Sequence, residues 1–78
     1  MKEETIQSII GAIKMSNPDL DLSKINENTR FSDVPNMDSM SIVNFQIDLS
    51  TVIGTKANDA LPILEMTIGD YADILESL

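Results

Sequence analysis

Residues 38–54 read DSMSIVNFQIDLSTVIG, and this stretch decides the fold. Asp38 is a favourable helix N-cap because its carboxylate can accept hydrogen bonds from the unpaired amides of the first turn. Gly54 supplies a C-terminal stop. The apolar side chains between them cover a broad arc of a helical wheel: Ile42, Val43, Phe45, Ile47, Leu49, Val52 and Ile53. An arc that wide predicts a central helix that contacts several other elements.

Two further helices flank this one in the sequence. In the first, apolar residues recur at i, i+3, i+4 and i+7, namely Ile6, Ile9, Ile10 and Ile13. Ser16-Asn17-Pro18 ends it, because the residue before a proline disfavours helical geometry. The last helix begins at Thr67-Ile68-Gly69-Asp70, which has the form of a capping box. No segment shows the alternation of a strand, so the sequence predicts an all-α protein.

The connections between these helices carry two more predictions. Residues 16–37 form a long connection with its own apolar anchors, so we expect an ordered loop after the first helix; the anchors are Leu20, Leu22, Ile25, Phe31 and Val34. In residues 55–66, Asn58 or Asp59 could cap a short helix whose first turn would tolerate Pro62. The predicted fold is therefore a small four-helix bundle with three long helices and one short helix, forming a single domain over residues 1–78.

The composition disfavours several classes of function. The sequence contains no cysteine and no histidine, so it offers no thiol and no imidazole base, and we expect no enzymatic activity. Its net charge of −8 disfavours nucleic acids and anionic membranes as partners. The N-terminus Met1-Lys2-Glu3-Glu4 lacks the basic start and apolar run of a signal peptide. We expect a cytoplasmic monomer.

One stretch of the long loop has the spacing of a calcium site. Asp19, Asp21 and Ser23 alternate as at the start of an EF-hand loop. The sixth position is Lys24, where the loop needs glycine, and the twelfth is Arg30, where it needs a bidentate glutamate. We therefore predict an ordinary polar loop and no metal site.

Ser39 is the candidate functional residue because it lies at the start of the central helix. A helix N-terminus offers unpaired amides and a partial positive charge, both of which favour a phosphate group. No histidine is present to activate the hydroxyl as a catalytic nucleophile. These features indicate modification by another enzyme, and the alternative is that Ser39 is only an N-cap.

The motif Asp38-Ser39-Met40 resembles the Asp-Ser-Leu/Met motif of acyl carrier proteins. The resemblance extends over nearly the whole chain: Thr67-Ile68-Gly69-Asp70-Tyr71 is similar to the Thr-Val-x-Asp start of that family's last helix, and Phe31 and Asp33-Val34 resemble residues just before its serine. It implies a cofactor site of Ser39, Asp38 and Met40, with 4′-phosphopantetheine transferred from coenzyme A to Ser39. It also implies three partners: a phosphopantetheinyl transferase, acyl-transfer enzymes and condensing enzymes.

The sequence departs from the family pattern in three places. Pro35-Asn36-Met37 is one residue longer than the usual glycine link, Ser41 replaces a common acidic residue, and the central helix carries only Asp48 after its first residue. Because the family's partners present basic patches to that helix, we expect a specialised carrier that serves enzymes with a less basic docking surface. Its predicted exposed stripe is Ser41, Asn44, Asp48 and Thr51.

Three questions stay open at this point. Four residues could line a cavity for an acyl chain or could be ordinary core: Val43, Ile47, Met66 and Ile68. The cargo could instead be an aminoacyl or peptidyl group. The chain could also be an unmodified acidic helical adaptor, in which case Ser39 would be replaceable without loss of function.

Overall fold

The computed structural model describes residues 2–78, and its regular elements are three α-helices. Helix α1 spans Lys2–Ser16, α2 spans Ser39–Ile53 and α3 spans Ile68–Glu76. Over residues 2–78 the structure contains no strand, so the all-α prediction is confirmed. The predicted helix boundaries at Ser16, Gly54 and Thr67 are confirmed as well, and the capping box at Thr67 and Asp70 is formed on both sides.

The four-helix bundle expected from the sequence is not confirmed. In place of a fourth α-helix, the segment after α2 forms a five-residue 3-10 turn, Thr55–Asp59. Gly54 ends α2 with a φ of 86°, and Ala60 is already extended, so the segment between them is too short for an α-helix of useful length. Pro62 follows and has no N–H to continue a helix.

Helix α2 packs against α1 and the 3-10 turn Thr55–Asp59, as the sequence predicts for a helix in contact with several elements. Helix α1 packs against both α2 and α3, and its predicted apolar face is buried. The prediction of a wide buried arc on α2 is wrong: full burial is limited to Ile42, Phe45 and Leu49. Because this narrow stripe faces the core, Val43, Ile47 and Val52 remain about half exposed on the sides of α2 that no other helix covers.

The α1–α2 loop, residues 17–38, is attached to the segment before α3. Phe31 N–H donates to the Met66 carbonyl at 3.1 Å, and Ser32 N–H donates to the Leu64 carbonyl at 2.9 Å. In the other direction, Ile68 N–H donates to the Thr29 carbonyl at 2.9 Å. The loop anchors Ile25, Phe31 and Val34 are buried and Leu20 is partly buried, but the prediction for Leu22 is wrong, since it is 41% exposed.

Gly69 and Gly11 give a matched test of this packing. Gly69 N–H donates to the Glu27 carbonyl at 2.8 Å, and a Cβ on Gly69 would lie 3.0 Å from that carbonyl oxygen. Since the obstacle is backbone, Gly69→Ala should lower the free energy of unfolding by about 1–3 kcal/mol. A Cβ on Gly11 meets no atom within 4 Å, so Gly11→Ala in α1 should raise it by about 0.5–1 kcal/mol. Urea denaturation measures both, and a neutral Gly69→Ala would contradict the close approach of α3 to the loop.

Candidate functional site at the start of helix α2

Asp38 caps α2, as the sequence predicts. Its carboxylate accepts hydrogen bonds from the Ser41 amide at 2.8 Å and the Met40 amide at 3.1 Å. Hydrogen bonds from the backbone and hydroxyl of Ser41, with a smaller contribution from the Met40 amide, hold the pKa of Asp38 below its usual value. Asp38 is therefore ionised at neutral pH and serves as a cap rather than as a proton acceptor.

Ser39 is the first residue of α2 and is exposed to solvent. The alternative that Ser39 itself caps the helix is wrong, because Asp38 occupies that position. The expectation that first-turn amides are free for a phosphate also needs correction. The amides of Met40 and Ser41 are already bonded to Asp38, so a group on Ser39 would extend into solvent beside the helix instead of being held by these amides.

Three exposed apolar side chains follow Ser39 on the outer surface of α2. We call them the α2 apolar stripe: Met40, Val43 and Ile47, which are 80%, 50% and 57% exposed. Their spacing of i, i+3 and i+7 places them on one side of the helix, away from the buried Phe45. The sequence expectation of an exposed stripe made only of polar residues missed them, because it assigned Val43 and Ile47 to the buried arc.

The four residues that could line a cavity for an acyl chain do not lie together in the structure: Val43, Ile47, Met66 and Ile68. Ile68 is completely buried in the core and Met66 packs against that core, whereas Val43 and Ile47 belong to the α2 apolar stripe. These four residues therefore do not form a shared pocket.

A surface cleft of about 230 Å³ lies beside Ser39. It is lined mostly by apolar residues: Ser39, Ile42, Leu61, Pro62, Ile63, Leu64 and Glu65. Leu61 and Ile63 are 53% and 55% exposed, and they extend the apolar surface across the cleft from α2. Sequence reasoning missed this wall because it left the conformation of residues 55–66 undecided.

The α2–α3 loop, residues 54–67, is held in place by hydrogen bonds from α2, α3 and the α1–α2 loop. Gln46 Nε2 donates to the Ala57 carbonyl at 2.9 Å, and the Tyr71 hydroxyl donates to the Ala60 carbonyl at 2.6 Å. The Ser32 amide donates to the Leu64 carbonyl farther along. Burial raises the pKa of Tyr71 to about 12, so its hydroxyl remains a donor over the physiological range. The wall of the cleft is thus fixed relative to Ser39.

Two larger clefts within residues 2–78 lie away from Ser39. A cleft of about 560 Å³ lies along the α1–α2 loop, and one of about 530 Å³ lies between the first half of α1 and residues 25–27; neither includes Ser39. In that loop Asp21 caps a 3-10 turn, Leu22–Lys24, by accepting from Ser23, and hydrogen bonds from Ser23 lower its pKa. Among residues 2–78, no cluster of three or more acidic side chains is arranged to hold a metal ion.

Along the described part of the chain, each helix is too short or too polar to span a bilayer. Comparisons with protein-family models, curated proteins and solved structures give no match to this chain. Its function is therefore inferred from the motif and the geometry around Ser39.

Proposed function

We propose that this chain is a discrete acyl carrier protein with 4′-phosphopantetheine on Ser39. The observation that carries the proposal is an exposed serine at the first residue of α2, within the motif Asp38-Ser39-Met40, beside an apolar cleft. A phosphodiester on Ser39 Oγ would place the arm in solvent, where its terminal thiol can carry acyl groups as thioesters. The pathway class is fatty-acid, lipid or polyketide-type biosynthesis.

The chemistry of the site supports a modified residue more than a catalytic one. The acidic side chains nearest to Ser39, in the sequence and in the cleft wall, are Asp38 and Glu65, and Asp38 is engaged in the helix cap. Ser39 has no imidazole partner, because the sequence contains no histidine. The transferase would therefore supply the base that deprotonates the hydroxyl, and the carrier would supply a well-placed acceptor.

An acyl cargo fits the surroundings of Ser39 better than an aminoacyl or peptidyl cargo does. Leu61 and Ile63 form an exposed apolar wall, and burying an aliphatic group against it is favourable by about 25 cal/mol per Å². A charged amino group gains nothing from such a wall. An unmodified adaptor remains the second candidate, because the α2 apolar stripe would suit a protein partner without any cofactor.

The proposed partners are a phosphopantetheinyl transferase together with acyl-transfer and condensing enzymes. The α2 apolar stripe and the single α2 carboxylate, Asp48, indicate partners with a largely apolar docking surface. Asp48 also accepts a hydrogen bond from the Ser16 hydroxyl, which ties it to α1. The proposal includes a cytoplasmic monomer in which the 3-10 turn Thr55–Asp59 takes the place of a short fourth helix.

Ser39 should be the single site of modification. Incubation with coenzyme A and a broad-specificity phosphopantetheinyl transferase should add the mass of one phosphopantetheinyl group, and Ser39→Ala should abolish the addition. Ser8→Ala, which removes a hydroxyl from α1, is the matched control and should be modified normally. Intact-protein mass spectrometry measures all three. Modification at another serine, or none with any transferase tried, would contradict the carrier function.

Adding negative charge to α2 should raise the turnover of this carrier by a generic fatty-acid enzyme. Asn44 is exposed on α2, so Asn44→Glu should raise turnover by a standard fatty-acid ketosynthase by up to about fivefold, as expected for one exposed charge pair at an interface. Asn28→Glu adds the same charge in the α1–α2 loop and should leave turnover unchanged. Ser41 is unsuitable for this test because it bonds to Asp38. Equal turnover of the parent and Asn44→Glu chains would show that α2 charge does not select the partner.

A further inference from the structure

The segment just before Ser39 is a tight turn, Val34–Met37. The Met37 amide donates to the Val34 carbonyl at 3.1 Å, and Asn36 has a φ of 63°. Proline at the second position and a positive φ at the third are the features of a type II turn, and asparagine is among the few residues that tolerate this φ. The turn accounts for the extra residue by which Pro35-Asn36-Met37 departs from the usual carrier pattern.

Asn17, the residue after α1, holds this turn from the side. Its Nδ2 donates to the Pro35 carbonyl at 2.7 Å, and its Oδ1 accepts from Asn36 Nδ2 at 3.3 Å. The Asn17 amide in turn donates to the Ile13 carbonyl, so its backbone continues the hydrogen bonding of α1. We call the pair Asn17 and Asn36 the asparagine clamp. It connects the end of α1 to the turn from which the chain enters α2.

The asparagine clamp is connected to Ser39 through the short stretch of backbone that leads from the turn into α2. Val34 is buried and Met37 packs against the core, so the two ends of the turn are anchored while the clamp fixes its middle. Met37 is the last residue of the turn and is followed directly by Asp38, whose carboxylate caps α2. A change in the turn therefore moves the cap and the first helical residue together.

We infer that Asn17 and Asn36 are positioning residues for the modification of Ser39, an inference that rests on the proposed function. The clamp sets the direction in which the chain enters α2 and so presents the Ser39 hydroxyl in one geometry to the transferase. Displacing a reacting group by about 1 Å can reduce a rate by about a hundredfold, so a partial loosening should give a smaller but measurable loss. Neither residue needs to touch the cofactor.

Three variants separate the parts of the clamp. Asn17→Ala removes both side-chain hydrogen bonds of the clamp. Asn36→Ala removes the bond between the two asparagines and places alanine at a positive φ, which alanine tolerates poorly. Asn36→Gly keeps that φ accessible and retains the Asn17–Pro35 bond, so it is the rescue variant. Asn28→Ala, an exposed substitution in the same loop, is the matched control.

The readouts are the kcat/KM of phosphopantetheinyl transfer from coenzyme A, the exchange rates of the Met40 and Ser41 amides, and thermal melting. Asn17→Ala and Asn36→Ala should lower kcat/KM by about tenfold and speed exchange of those two amides, while Asn36→Gly stays within about threefold of the parent. A merely structural role would instead lower protection throughout the core.

Wild-type transfer rates in both alanine variants, with unchanged exchange at Met40 and Ser41, would overturn the inference. A parent chain that no transferase modifies would remove the proposed function. In that case the exchange rates alone decide whether the clamp sets the geometry at the start of α2, since unchanged exchange rejects it and faster local exchange supports it.

Discussion

Three aromatic rings from three separate parts of the chain meet at the centre of the protein. Phe31 comes from the α1–α2 loop, Phe45 from α2 and Tyr71 from α3, and each is fully buried. Their centroids lie 5.4–6.1 Å apart, with the Phe31–Tyr71 pair edge to face at 81°. Such pairs contribute about 0.5–1.5 kcal/mol beyond their buried area. In a chain of 78 residues with no disulfide, this contact packs the loop against both helices.

The same cluster determines the surroundings of Ser39. Tyr71 packs its ring in the core and uses its hydroxyl to hold the Ala60 carbonyl, which sets the wall of the cleft. Because the rings fill the interior between α2 and α3, Leu61 and Ile63 near Ser39 lie at the surface instead of around an internal space. A carrier built in this way would present its cargo at the cleft and its partner contacts along the α2 apolar stripe.

Local signals in the sequence were sufficient for the helix boundaries and for the cap at Asp38. Pro18, Gly54 and the Thr67 capping box act through their immediate neighbours, so they can be interpreted without knowledge of the tertiary fold. The buried side of α2 could not be predicted, because a helical wheel orders side chains around the axis but does not say which arc another helix covers. Leu22 was misassigned because an apolar residue in a loop does not show by itself whether the loop turns it toward the core. The cleft could not be predicted because it depends on a loop held by hydrogen bonds to residues distant in the sequence.

The central claim is that Ser39 exists to carry a phosphopantetheine arm. Its most direct test is top-down mass spectrometry of the chain isolated from the cells that make it, since this reports the modification under native conditions. The account predicts a population heavier by one phosphopantetheinyl group, with backbone fragments placing the added mass on Ser39. A chain recovered entirely unmodified, from cells that contain an active transferase and other modified carriers, would contradict the account.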